Sequence, residues 1–347
     1  MMALKSPAML ALYFCCLAIA ARGRRVISPV PRDTSFQASA EANTAFVSSA
    51  PNLRTAPSRR QSAVSVPHVN LYSALAARAN MPRMGDDDRK GPELIYDKAV
   101  KFGTELAKES GNKVFVKGFI SGCHIALGAM LAVSFGVFKG RALDVGLQKI
   151  LLGMFGLPLA LLMTVVAGGQ LVTSNFAFLG AAFFEGKTTL GKCWSNWFTV
   201  ASGNFLGALL IAWLAHGANL GFGDAARRLA VAKIAPTFGT LVAQGILCNW
   251  LVCMAMWMAA SAKDVVSQAV AIFLPVSGFV ALGFQHSVAN MFLISFGMYY
   301  GADVDTGEMF FKNLIPVALG NLIGGVWGVA YLYKLAFGAK KKKEKKD

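Results

Sequence analysis

From residue 114 onward the chain alternates between long apolar stretches and short polar ones. The apolar stretches lie near 114–138, 149–185, 194–216, 237–260, 265–299 and 311–337. A bilayer core of about 30 Å is crossed by roughly 20 apolar residues in a helix, so the pattern predicts an all-α integral membrane protein with six transmembrane helices. The second and fifth stretches are too long for one straight helix. Each is interrupted, the second at Gly168-Gly169 and the fifth at Gly283. The acidic residues of this region ahead of the tail, Asp144, Glu185, Asp224, Asp264, Asp303, Asp305 and Glu308, fall at the ends of the stretches or between them. Burying charge in lipid is costly, and their placement agrees with that.

Ahead of the spans, residues 8–20 form a shorter apolar run after Lys5. Its length is that of a secretory signal core rather than of a span. Residues 21–84 then hold nine Arg and many Ser and Ala, with Asp33 and Glu41 as their only acids. That is transit-peptide chemistry. The expected organisation is a signal-like segment over 1–21, a transit-like disordered segment over 22–90, a six-span domain over 91–338 and a basic tail over 339–347. A bipartite leader of this kind points to a plastid membrane, the envelope or an inner one. A plain signal peptide or signal anchor, leading to the plasma membrane or another endomembrane, is the alternative.

The two interrupted stretches resemble each other. GGQLVTSNF (168–176) and GFQHSVAN (283–290) place Gly168 opposite Gly283, Gln170 opposite Gln285, Asn175 opposite Asn290 and Leu171 opposite His286. A second echo follows each: SGNFLGALL (202–210) with Gly203, Asn204 and Gly207, and LGNLIGGVW (319–327) with Gly320, Asn321 and Gly324. Asn175 and Asn204 stand 29 positions apart, Asn290 and Asn321 31. The domain is therefore read as two copies of a three-span unit. An odd number of spans per copy inserts the second upside down relative to the first. The two breaks then face each other near mid-membrane, where inverted repeats with discontinuous helices hold their substrate sites. Gly168, Gly169, Gly283, Gln170, Gln285, Asn175, Asn290 and Asn204 are the candidates for making the breaks and packing them.

Composition supports the membrane reading. The chain is 55% hydrophobic and only 15% charged, with a mean hydropathy of +0.50. The net charge of +16 sits largely in the Arg-rich leader and in the tail KKKKEKKD, which is targeting and positive-inside charge rather than a nucleic-acid surface. The six cysteines form no C-x-x-C pair and no metal-ligand spacing with His. No Ser/His/Asp arrangement and no phosphate loop is present. No cofactor, metal or enzymatic activity is expected.

Several motifs, in order, resemble one family. Gly168-Gly169-Gln170-Leu171-Val172-Thr173-Ser174, Ser202-Gly203-Asn204, Gln244-Gly245-Ile246-Leu247-Cys248-Asn249-Trp250-Leu251-Val252, Gly283-Phe284-Gln285-His286-Ser287-Val288-Ala289-Asn290-Met291-Phe292 and Gly320-Asn321-Leu322-Ile323-Gly324-Gly325 look like the formate/nitrite transporter family over roughly residues 95–337. The resemblance implies an aquaporin-like six-span protomer, a homopentamer with one pore per protomer, and small monovalent anions such as nitrite or formate moved with a proton. By the same resemblance His286, Thr173 and Asn321 form the substrate pore. Leu171, Val172, Leu157 and Phe279 form its constrictions, and Lys233 is the anion-gathering vestibule lysine. The family usually carries acids where this chain has Gln170 and Gln285. A neutral His286 imidazole would donate a hydrogen bond to the anion. Apolar walls would raise the anion's proton affinity, so that it crosses as the neutral acid. A neutral-solute channel for water or ammonia is the alternative; the absence of Asn-Pro-Ala at the breaks argues against it.

Overall fold

The computed structural model describes residues 91–134 and 153–338. The expected leader and basic tail, Asp144 and the inner ends of the first two apolar stretches lie outside the described residues. The described residues are helical, and we number their helices α1 to α10.

Four helices are long and apolar enough to cross a membrane: α2 (Gly111–Ser134), α5 (Leu190–Gly217), α7 (Phe238–Ser261) and α10 (Thr306–Phe337). The second and fifth spans are broken, as the sequence pattern predicts. The second is α3 (Leu157–Val166) plus α4 (Val172–Phe184), and the fifth is α8 (Val265–Ala281) plus α9 (Ser287–Tyr299). The two breaks have the same build. Gly168 and Gly283 take φ of +73° and +75°, which only glycine adopts freely. Gly168 N–H donates to Val165 O and Gly169 N–H to Thr164 O; Gly283 N–H donates to Val280 O and Phe284 N–H to Phe279 O. Each is a Schellman cap that ends the first half-helix.

Several spans begin earlier than the apolar pattern places them, because polar caps extend them. Asp305 accepts from Glu308 N at 2.8 Å while Glu308 Oε2 accepts from Asp305 N at 3.1 Å. This capping box starts α10 ahead of its apolar run. At the start of α5, Thr189 Oγ1 accepts from Lys192 N at 3.4 Å, a simple N-cap without the reciprocal bond. The sixth span also carries two π-helical stretches, Met309–Leu314 and Gly324–Tyr331.

Two short helices have no counterpart in the span pattern. α1 (Pro92–Leu106) begins with Pro92 and Glu93 and buries Tyr96, Ala99, Val100, Gly103 and Leu106. The proline and acid favour a helix start, and the spacing is one helical face. α6 (Gly223–Ile234) buries only Ala226 and Ala230. Both helices carry charge on their other faces, so no hydropathy pattern marks them as spans. They fill equivalent places in the two copies. α1 packs on α4, where a side chain at Gly103 would strike the Phe178 carbonyl, and α6 packs on α9, where one at Gly297 would strike the Ala226 carbonyl.

The third span of each copy lies against the first. A Cβ at Gly203 or Gly207 on α5 would overlap α2 backbone at Phe115 or Phe119; one at Gly320 or Gly324 on α10 would overlap α7 backbone at Val242 or Ile246. Small residues permit this approach in membrane helices, where packing rather than water exclusion drives association. Gly207→Ala and Gly324→Ala are expected to lose about 1–3 kcal/mol through overpacking. Thermal unfolding of the detergent-purified protein checks this, with Gly239→Ala, which has open space around its Cβ position, as the unchanged control.

Candidate functional site

A broken helix leaves its second half with unpartnered N–H groups, and within a membrane these need protein partners. Asn204 and Asn321 supply them. Asn204 Oδ1 accepts from Val172 N at 3.1 Å, while Nδ2 donates to Gly118 O at 2.8 Å and Gln170 O at 3.0 Å. Asn321 Oδ1 accepts from Ser287 N at 2.9 Å, while Nδ2 donates to Gly245 O at 2.9 Å and Gln285 O at 3.0 Å. One buried amide thus ties the third span, the first span and the break in each copy.

A second pair of networks holds the loops. Asn175 Nδ2 donates to Gln170 Oε1 at 3.0 Å and to Asn196 Oδ1 at 2.9 Å. Asn290 Nδ2 donates to Gln285 Oε1 and to Asn313 Oδ1, both at 2.8 Å. The copies differ in what sits on each glutamine. Gln170 Nε2 donates to Glu109 Oε2 at 2.8 Å, and Lys117 Nζ reaches Glu109 Oε1 at 2.6 Å. Lys233 Nζ donates directly to Gln285 Oε1 at 3.1 Å. The first copy therefore has a carboxylate between lysine and glutamine, and the second a lysine on the amide itself.

His286 sits at the break of the fifth span, 4% exposed, and caps α9. Its Nδ1 accepts from Ala289 N at 3.1 Å, so this nitrogen carries a lone pair and the neutral ring holds its proton on Nε2. Nε2 lies 3.1 Å from Thr173 Oγ1 across the two copies. The hydrogen bond joins the start of α4 to the break before α9. Phe279 stacks on the imidazole with ring centroids 5.9 Å apart.

His286 faces a small chamber of about 10 Å³, room for about one water. Its other walls are apolar and come largely as repeat pairs: Ile125 with Val252, Leu161 with Val276, and Leu171 opposite His286, joined by Leu157 and Phe279. Two larger cavities flank it. One, of about 240 Å³, shares Leu157, Phe279 and His286 with the chamber and contains Lys233. The other, of about 320 Å³, shares Leu161 with it and reaches Gly168, Gly169 and Gln170. Each larger cavity, called a mouth below, thus shares lining residues with the chamber, whose one polar wall is His286.

The structure brings together His286, Thr173, Leu171, Leu157 and Phe279, and it places Lys233 in one mouth. Two residues named from the sequence stand differently. The Asn321 side chain is committed to three backbone groups rather than facing His286. Val172 lines none of the three cavities, and its N–H is held by Asn204. Sequence reasoning missed Leu161, Glu109, Asn196, Asn313 and Asn249, whose Nδ2 donates to Thr173 O at 3.0 Å and Asn321 O at 2.6 Å. Asn196 and Asn313 each precede the clamp asparagine by eight positions, so extending the repeat comparison would have found them. Glu109 has no repeat partner and offered no such signal.

Comparison with known proteins agrees with this geometry. Residues 93–335 match the sequence profile described as formate/nitrite transporter. The formate channel BtFdhC of Bacillus thuringiensis is 33% identical over 246 residues, which cover 70% of this chain and 93% of that protein. A solved structure titled FNT family ion channel superposes with a TM-score of 0.65 at 27% identity, over 70% of this chain and 98% of that one. Another, a pentameric formate channel with formate bound, gives 0.57 at 28% identity, over 65% and 97%.

Leu in place of either clamp asparagine strands one N–H and the break carbonyl of Gln170 or Gln285, each worth about 1–3 kcal/mol when buried unpaired. Asn204→Leu and Asn321→Leu are expected to lose most of the monodisperse protein recovered in detergent, to a similar degree, since the copies use the residue identically. Size-exclusion chromatography of matched preparations reads the loss.

Proposed function

The chain belongs to the formate/nitrite transporter family, and we propose that it conducts small monovalent weak-acid anions, formate or nitrite, across a membrane together with a proton. The observation that carries this reading is the setting of His286: a neutral Nε2–H donor at a helix break, alone among apolar walls in the chamber lining. Lys233 gathers the anion in its mouth. Apolar walls disfavour charge, so the anion takes a proton before it passes Leu157 and Phe279. In the chamber the His286 Nε2–H exchanges its Thr173 partner for an oxygen of the acid. No fixed charge lines the chamber, so nothing there holds an ion long enough to stop flux. Keeping Nδ1 as the acceptor of Ala289 N–H preserves this donor in every cycle.

The formate channel of Bacillus thuringiensis and the formate-bound pentameric structure support formate as substrate. The latter also supports assembly of this chain as a homopentamer with one path per protomer. Apolar side chains exposed along the spans, among them Phe198 and Leu274, suit contact with lipid or neighbouring protomers. The apolar run at 8–20 and the basic segment behind it support delivery to a plastid membrane.

Flux of formate and nitrite into proteoliposomes across a pH gradient tests the function. Uptake is expected to rise as the outer pH falls. His286→Ala is expected to slow it about tenfold or more, the loss of one buried hydrogen bond to a polar solute. Electrogenic anion flow at neutral pH overturns the proton coupling, and water or ammonia passing without either anion overturns the substrate class.

A further inference from the structure

The two mouths are built on equivalent backbone but lined differently. The matching Schellman caps make Thr164 the counterpart of Phe279 and Gly169 that of Phe284. The matching clamps on Gly118 and Gly245 make Ser121 the counterpart of Cys248. Where the second copy has two aromatic rings and a thiol, the first has two hydroxyls and a glycine.

Both hydroxyls are buried, with Ser121 0% and Thr164 3% exposed, and neither Ser121 Oγ nor Thr164 Oγ1 has a hydrogen-bond partner. A helical serine or threonine usually bonds the carbonyl four residues back. The one available to Ser121 belongs to Lys117 and already accepts from Gln170 N at 3.2 Å. The Ser121 hydroxyl occupies the space a Cβ at Gly169 would take, and the Thr164 methyl lies 3.4 Å from the same point. Gly169 thus leaves room for Ser121 directly against it, beside the mouth that Thr164 and Gly169 line. Thr164, Gly169 and Gln170 line the 320 Å³ cavity, which shares Leu161 with the chamber. Buried polar groups without protein partners mark places for water or a ligand.

We propose that Thr164 and Ser121 form a binding subsite for the permeating acid in the mouth opposite Lys233, reached before Leu161. The ligand class is a small oxyacid, formate or nitrite, and the inference rests on the channel reading above. A hydroxyl both donates and accepts, so the pair holds the oxygen of the anion or the O–H of the neutral acid with equal facility. That suits the point where protonation changes along the path. Lys98 and Lys117 also line this mouth, and the Lys117 ammonium is paired with Glu109; the hydroxyls add neutral partners that solvate the ligand without fixing it as an ion. The second mouth lacks such a pair and relies on Lys233. The two mouths therefore bind the acid by different chemistry, and the conductance saturates differently from the two sides.

The test measures formate flux against formate concentration in proteoliposomes holding the full chain, for wild type, Thr164→Val, Thr164→Ser and Ser121→Ala. The half-saturating concentration is expected to rise about three- to tenfold in Thr164→Val and in Ser121→Ala, the worth of one hydrogen bond, and to return near the wild-type value in Thr164→Ser. Removing an unpartnered hydroxyl leaves no protein group stranded, so thermal stability without formate is expected to stay equal or rise. Unchanged half-saturation in both Thr164→Val and Ser121→Ala, with a conducting wild type, overturns the subsite alone and leaves the hydroxyls as water-holding groups. A wild type that passes no formate overturns the channel reading, and the subsite falls with it.

Discussion

A helix interrupted at mid-membrane exposes backbone N–H and C=O groups where lipid offers no partner. The centre of this protein is arranged around that need. Asn204 and Asn321 each join a break to two continuous spans. The glycines beside them let those spans approach until a single short amide can reach all three backbones. Neither clamp would serve without the close packing, and the close packing would bury unpaired groups without the clamps. The broken segments are tied to their neighbours for this reason, although they have no regular structure at their centres.

On this nearly symmetric frame the side chains that face the path are not symmetric. His286 stands opposite Leu171, Phe279 opposite Thr164, and Phe284 opposite Gly169. The charged groups diverge as well, with Glu109 between Lys117 and Gln170 on one side and Lys233 directly on Gln285 on the other. Both glutamines keep the acceptor that their asparagine partners use. As an amide, Gln170 also has a donor for Glu109, which a carboxylate there would lack and would replace with repulsion. The symmetric residues hold the backbone, and the asymmetric ones give the path its polarity.

The spans, their breaks and the inverted repeat were legible in the sequence because each is written locally. Apolar length marks a span, a glycine run marks an interruption, and a recurring Gly-x-Gln with a later Gly-Asn marks the repeat. The same logic extends to Asn196 and Asn313, which a longer comparison of the copies would have reached. It does not extend to α1 and α6, whose buried faces are narrow and whose charge hides them from hydropathy. It also does not reach Glu109, which lies in the turn before α2 and belongs to no repeated motif.

The sequence by itself therefore determined the class of fold, the number of spans and the position of the two breaks, since helix length and glycine conformation depend on neighbouring residues. The tertiary structure alone decided which polar group meets which. Gln170 and Glu109 are 61 positions apart, and Thr173 and His286 are 113 apart; their meeting depends on how each helix is rotated and how closely it packs. It was the same packing that turned Asn321 towards backbone and left Ser121 and Thr164 without partners, because a buried side chain bonds whatever its neighbours' backbones have not already taken.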